Sequence, residues 1–132
     1  YLIQEGSAVA KFKLERITCI ELLEGLVPFI KYEAPGFAAM YEDFILPRIW
    51  WSVMWQACLA FSLKDALAFG KAAGMREKMK KLASCDDPKV AYSAKLYLTN
   101  PIAFVTAASV AGRNRSRIER TDVTPFLEYF KK

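Results

Sequence analysis

The sequence predicts an all-α fold, an irregular helical bundle of about five or six helices with a short extended N-terminal lead-in. Apolar residues recur at spacings of three and four along most of the 132 residues, which is the period of an amphipathic helix. Alternation with a period of two is absent beyond the first few residues, so a sheet is not expected. Two steps in which an acidic or amide side chain precedes proline, Asp87–Pro88 and Asn100–Pro101, are typical of helix starts.

The chain divides into an extended junction at residues 1–10 and a single helical domain at residues 11–132. Tyr1–Gln4 has the composition of the end of a strand, and Glu5–Gly6–Ser7 interrupts it. No linker rich in proline, glycine or serine and no internal repeat divides the rest. Because the sequence starts with tyrosine rather than methionine, we expect a fragment of a longer protein whose upstream domain ends at this junction.

The first helix is expected from about Lys11 to Ile30, where apolar residues follow the helical period. Gly25 and Pro28 lie inside this run, so the helix should kink or weaken near its last turns. Ala34–Pro35–Gly36 marks the turn that follows.

The second helical region, from about Phe37 to Phe61, is the most apolar part of the chain. Pro47 either kinks this region or occupies the first turn of a new helix. Two neighbouring apolar stripes cover so much of its circumference that we expect helices packed on several sides. One stripe comprises Phe37, Tyr41, Phe44, Arg48, Trp51, Trp55 and Cys58, and the other comprises Met40, Pro47, Trp50, Met54, Ala57 and Phe61.

The later helices are shorter, and Gly70 and Gly74 interrupt the first of them. Their expected starts are Ser62, Asp87–Pro88, Asn100–Pro101, and Thr121–Asp122 ahead of Pro125. The predicted core draws on residues from all of these segments: Ile17, Ile20, Leu23, Phe44, Trp51, Trp55, Leu59, Leu67, Leu96, Phe104 and Phe126.

The composition argues against catalysis by this chain. It contains no histidine, which removes the commonest general base, the commonest zinc ligand and every nucleophile–histidine pair. Its three cysteines form neither a disulfide framework nor a metal-binding spacing. Each carboxylate pair has an ordinary explanation as a solvated helix face or a cap, and no glycine-rich phosphate loop is present. We therefore assign no catalytic residue, no cofactor and no metal ligand to this chain.

Aromatic residues around Arg48 form one candidate binding surface, an acceptor or partner face made of Arg48, Trp50, Trp51 and Trp55. The indole rings could stack on sugar rings or anchor at a membrane interface, and the same stripe is typical of a packed helical core. Arg48 could contact a tryptophan ring as a cation or extend into solvent.

Basic residues near the C-terminus form a second candidate surface, made of Arg113, Arg115, Arg117 and Arg120. They follow an uncharged segment from Leu96 to Gly112, so they could form the basic collar of an interfacial helix on an anionic membrane. A core helix followed by a solvated segment gives the same pattern. Nucleic acid is not an expected partner, because no aromatic residues interleave with the arginines and no nucleic-acid module surrounds them.

The segment from Tyr1 through Gly6–Ser7, which runs into a helix carrying Arg16, resembles a junction in bacterial family 2 glycosyltransferases. In that family a strand of the form Y-x-x-R/Q-x-x-G-S closes the nucleotide-sugar-binding GT-A domain, and a helical C-terminal region follows. Tyr1, Gly6 and Ser7 correspond to this pattern with one residue fewer between the tyrosine and the glycine, and Ile3–Gln4–Glu5 replaces the usual arginine. The resemblance covers about the first twenty residues.

The resemblance implies a catalytic domain upstream, with a D-x-D motif that holds a divalent metal and the sugar diphosphate. A further E-D pair would supply the base. Glu42–Asp43 is not that pair, because it follows the junction and lies in a predicted helix. The implied setting is envelope polysaccharide synthesis in the cytoplasm, with peripheral association at the inner face of the cell membrane.

Two functions remain open at this point. The chain is either the non-catalytic helical portion of such an enzyme, serving acceptor binding, membrane association or assembly as a homo-oligomer, or an autonomous helical module that binds another protein. D-x-D and E-D motifs upstream of Tyr1 would favour the enzyme.

Overall fold

The computed structural model describes residues 11–113 and 118–131, with the side chain of Arg113 excluded. The expected all-α class is confirmed, and these residues contain nine α-helices and one π-helical turn, more segments than expected. The extended lead-in at Tyr1–Gln4 lies outside the described residues. The elements are α1 Leu14–Glu24, α2 Val27–Glu33, α3 Pro35–Met40, the π-turn Tyr41–Ile45, α4 Leu46–Ala60, α5 Leu63–Ala72, α6 Met75–Leu82, α7 Pro88–Thr99, α8 Pro101–Arg113 and α9 Thr124–Phe130.

Three of the later helices, α5, α7 and α8, start at capping residues in the sequence. The Asp87 carboxylate accepts hydrogen bonds from the backbone N–H groups of Lys89 (3.1 Å) and Val90 (3.4 Å) at the start of α7. The Ser62 hydroxyl likewise accepts from Asp65 N–H (3.3 Å) at the start of α5. These bonds pair N–H groups that have no acceptor within the first turn of a helix.

The first predicted helix divides where glycine and proline interrupt it. α1 ends at Glu24, Gly25 and Leu26 form a turn, and α2 begins one residue before Pro28. Beyond the break, no residue of α2 is buried. The inclusion of Leu23 in the predicted core is wrong: it is 37% exposed, because α1 directs Ile17 and Ile20 inward instead.

The second predicted helix contains a π-turn. Pro47 has no N–H to donate to the Asp43 carbonyl four residues earlier, and its ring crowds that carbonyl. The chain widens there, so that the Leu46 N–H bonds to Tyr41 O five residues back. The added residue rotates everything before the turn relative to α4, which breaks both apolar stripes.

The third predicted helix ends at Gly74, which adopts a left-handed conformation with φ +68°. This conformation is strained for residues with a Cβ atom, and it separates α5 from α6. Gly70, by contrast, lies inside α5 and is buried.

The core surrounds α4, which packs against α1, α5, α6 and α8. Its buried stripe is the one that contains Trp50, Met54, Ala57 and Phe61, whereas Trp51 and Trp55 are half-buried at the edge of the core. A cluster of phenylalanine rings closes one end, with centroid distances of 5.1–6.0 Å among Phe12, Phe61, Phe69 and Phe126. Of the predicted core, Ile17, Ile20, Phe104 and Phe126 are fully buried, and Phe44, Leu59, Leu67 and Leu96 are half-buried.

No helix in the described part of the chain combines the length and the apolar character needed to cross a bilayer.

Candidate functional site

Helix α4 places its three tryptophans on two different sides of the molecule. Trp50 is 2% exposed, and its Nε1–H donates to the Glu24 carboxylate at 2.8 Å. Trp51 and Trp55 lie on the other side, where they line a groove. The predicted face of one arginine and three tryptophans is therefore separated, with Trp50 apart from the other two rings.

The groove lies between α4, α7 and α8 and has a volume of about 490 Å³. One wall is aromatic and polar, and the α8 wall carries small alanine side chains that leave room for a ligand. The lining residues are Trp51, Ser52, Trp55, Gln56 and Leu59 from α4, Lys89, Tyr92, Ser93 and Leu96 from α7, and Phe104, Ala107, Ala108 and Ala111 from α8.

Trp51 is a fixed part of the groove wall. The Arg48 guanidinium lies 4.5 Å from its ring centroid, and Trp55 stacks on it with centroids 5.5 Å apart and an interplanar angle of 26°. Arg48 is one turn before Trp51 and Trp55 one turn after, so both can contact the indole from the same helix. The Trp51 Nε1–H donates to Ser93 Oγ at 2.7 Å. Its ring faces and N–H are thus engaged within the protein.

The remaining polar groups of the groove differ from Trp50 and Trp51 in lacking protein partners. Within the described residues, no side-chain hydrogen bond or ion pair is made by Ser52, Gln56, Lys89 or Tyr92, nor by the indole N–H of Trp55. Tyr92 is 71% exposed at the rim, and Trp55 is half-buried with its ring edge-to-face on Phe104. These groups leave donors and acceptors free to bind a polar ligand in the groove.

The sequence analysis did not single out Ser52, Gln56, Lys89 or Tyr92. A signal was present in the helical spacing, since positions 52, 56 and 59 of α4 and positions 89, 92, 93 and 96 of α7 each define one face of a helix. This spacing does not reveal a groove by itself, because the sequence does not show that these two helix faces lie opposite each other.

A second cleft, of about 450 Å³, contains Trp50 and the charged residues Glu24, Glu42, Glu77, Lys78 and Lys81. Its charged groups have partners elsewhere in the protein: Glu42 pairs with Lys31, Glu77 with Lys80 and Lys81 with Asp43. Lys78 Nζ donates to Ala73 O at 2.8 Å and lies 4.8 Å from the Trp50 ring centroid. Burial lowers the pKa of Lys78, and the nearby Glu24 carboxylate opposes that shift. This arrangement fastens α1 to α4 and α6 and leaves few groups for a ligand.

The predicted basic surface is described only in part. Arg120 is exposed, and it lines a shallow depression together with the exposed apolar residues Leu63 and Val110. Arg115 and Arg117 lie outside the described residues, as does the side chain of Arg113. Membrane contact by this surface stays a prediction.

Among the described residues, no three cysteine, aspartate or glutamate side chains converge as ligands for a metal ion. Comparisons with protein-family models, with curated proteins and with solved structures find no significant match to this chain.

Proposed function

We propose that this chain is the non-catalytic helical portion of a family 2 glycosyltransferase and that its tryptophan groove holds the acceptor saccharide. The observation that carries the proposal is the combination of aromatic walls with polar groups that lack protein partners. The resemblance at Tyr1–Ser7 points to the same class of enzyme.

The groove has the two properties that a saccharide requires. Sugar rings present apolar C–H surfaces beside hydroxyl groups, so a binding site needs aromatic surface and hydrogen-bonding side chains in one place. Trp55 and Tyr92 supply aromatic surface, and Gln56 and Ser52 supply donors and acceptors. The alanines of α8 provide space for a ring.

Catalysis belongs, in this proposal, to an upstream GT-A domain that uses a nucleotide-sugar donor. That domain would hold the divalent metal through its D-x-D motif. The cytoplasmic face of the membrane is the proposed location, and Arg113, Arg115, Arg117 and Arg120 are the residues proposed to contact anionic lipid.

A binding experiment tests the groove. The chain is titrated with a panel of neutral and acidic oligosaccharides, and tryptophan fluorescence and isothermal titration calorimetry measure the affinity. We expect at least one class to bind and Gln56→Ala and Tyr92→Ala each to weaken it about tenfold, the loss of roughly one hydrogen bond to ligand.

The matched control is Tyr32→Ala, which removes another exposed tyrosine on α2, away from the groove. Its affinity should equal that of the unmodified chain. Failure of every saccharide to bind, or equal losses in all three variants, would overturn the assignment of this groove.

An autonomous protein-binding module is the second candidate, and a specific surface favours it. Large apolar side chains are exposed along α1, α2 and α3: Leu22, Leu26, Phe29, Tyr32, Phe37 and Met40. Residues 14–45 also contain six acidic and two basic side chains, a balance that an anionic bilayer would repel. A protein partner fits this apolar face better than lipid does.

The coding sequence upstream of Tyr1 discriminates between the two candidates. D-x-D and E-D motifs in a pattern of alternating strands and helices would support the glycosyltransferase. A different domain type upstream would instead favour the protein-binding module.

A further inference from the structure

We infer that the groove selects saccharides that carry an anionic substituent, an inference that rests on the proposed acceptor-binding function. The juxtaposition that carries it is a single lysine, without an ion pair in the described part of the chain, in a groove whose lining contains no carboxylate.

The charge of the groove lining is positive only, within the described residues. Thirteen of the described residues line the groove, and among them Lys89 alone is charged, while the rest are aromatic, aliphatic or neutral polar. The second cleft differs sharply, since three glutamates and two lysines line it. A cationic or amino-sugar ligand would find no counter-charge in the groove, whereas an anionic one would find Lys89.

The Lys89 ammonium is free to act on a ligand. The backbone N–H of Lys89 donates to the Asp87 carboxylate. That carboxylate therefore caps α7 and does not pair with the lysine side chain. Asp86 and Asp87 line a different cleft, together with Asp43. Asp43 itself pairs with Lys81 at 3.4 Å.

Arg48 adds a second cation next to the groove. Its guanidinium lies 4.5 Å from the centroid of the Trp51 ring and makes no ion pair within the described residues. Guanidinium groups stacked on aromatic rings keep their N–H donors available at the ring edge. A carboxylate or phosphate on a bound sugar therefore has one cation from the lining and one beside it.

The experiment compares two ligands that differ only in charge. Oligomers of galacturonic acid are titrated into the chain beside the same oligomers after methyl esterification, which removes the charge and keeps the sugar backbone. We expect the acid to bind at least tenfold more tightly than the ester in low salt, and the difference to shrink as salt rises. Glucose 1-phosphate forms a third arm, which tells a phosphate preference from a carboxylate preference.

Variants that remove one positive charge identify the residue responsible for the preference for the acid over the ester. Lys89→Gln should abolish most of the difference in affinity between acid and ester, mainly by weakening the binding of the acid, and Arg48→Gln should reduce that difference in part. Lys95→Gln is the matched control, because Lys95 is an exposed lysine on the same helix that does not line the groove. Circular dichroism checks that each variant folds.

The outcomes separate the two levels of the argument. Equal affinity for acid and ester in the unmodified chain overturns the charge preference and leaves the saccharide groove standing. If neither oligomer binds, and the phosphate and every saccharide in the panel also fail to bind, both the charge preference and the saccharide groove are overturned. Because the acid–ester comparison uses the unmodified chain, it decides the question even where a variant fails to fold.

Discussion

The Cys58 thiol lies in the core on α4, 2% exposed. Burial raises its pKa from 9.0 to about 12. Between these values the folded state keeps the thiol proton, whereas the unfolded state has released it. The unfolded state therefore binds fewer protons, so this group makes stability fall as pH rises through 9. Burial also raises the pKa of Tyr97, which acts in the same direction at higher pH, whereas the lowered pKa of Lys78 acts in the opposite one.

Replacing Cys58 with alanine should remove this contribution. We expect the unfolding free energy of the unmodified chain to lose about 2 kcal/mol more than that of Cys58→Ala between pH 8 and pH 10.5, from a difference of one bound proton. Urea denaturation at several pH values measures both. The two proteins share every other titrating group, so parallel pH profiles would contradict the role of the thiol.

Gly70 shows how closely α5 approaches its neighbours. A Cβ atom at this position would lie 2.5 Å from the Tyr97 hydroxyl oxygen and 3.2 Å from Met54 Cε. Gly70→Ala should therefore destabilise the protein by about 1–3 kcal/mol through overpacking, although alanine favours the helix. Chemical denaturation measures the loss.

Gly36→Ala is the control for this effect. A Cβ atom there would have no heavy atom within 4 Å, so only the helix preference of alanine acts. Stability should stay level or rise by up to about 1 kcal/mol. A loss at Gly36 as large as that at Gly70 would contradict the packing explanation.

At the scale of whole elements, α7 depends on the cap at Asp87. Asp87→Ala leaves two backbone N–H groups without their acceptor and should cost about 1 kcal/mol of unfolding free energy. Asp86→Ala removes a neighbouring exposed carboxylate that makes no hydrogen bond or ion pair in the described structure. It should change stability by less than about 0.5 kcal/mol, so thermal or urea unfolding that gives equal losses would refute the capping role.

Capping is also why the sequence predicts the starts of α5 and α7. The Asp87 and Ser62 side chains accept hydrogen bonds from backbone N–H groups two or three residues away. Both partners of each bond are therefore visible in a short stretch of sequence. The break after Glu24 is local in the same way, since Gly25 and Pro28 act on their own turn. Such features do not depend on the rest of the fold.

The buried face of α4 and the groove depend on more distant contacts. The apolar stripes predicted over Phe37–Phe61 put Trp51 and Trp55 in the core, whereas the structure buries Trp50 and leaves the other two half-buried. Which face of α4 is buried depends on the helices that surround it, and both stripes consist largely of apolar residues in the sequence. The groove needs α7 opposite α4, as in the Trp51–Ser93 hydrogen bond across 42 positions.

At the scale of the molecule, apolar surface is unevenly distributed. The aromatic cluster and α4 form a continuous core, whereas α2 contributes no buried residue to it. Tyr32 is 83% exposed and Leu22 73%, together with Phe29 at 61%. Exposed apolar area gives no stabilisation to an isolated domain, so this face is better suited to binding than to folding.

The double substitution Phe29→Gln with Tyr32→Gln tests whether the exposed apolar face of α2 contributes to binding rather than to folding. Since neither ring is buried, we expect the unfolding free energy to change by less than about 1 kcal/mol, while binding of a hydrophobic dye and any self-association fall. Sedimentation velocity and dye fluorescence measure the second effect, and urea denaturation the first. The control is Ile17→Ala, on the inner face of α1, which should cost about 2–5 kcal/mol because Ile17 is fully buried. A comparable loss in the double variant would mean that α2 packs against the domain itself in solution, and the apolar face would then no longer support a binding role.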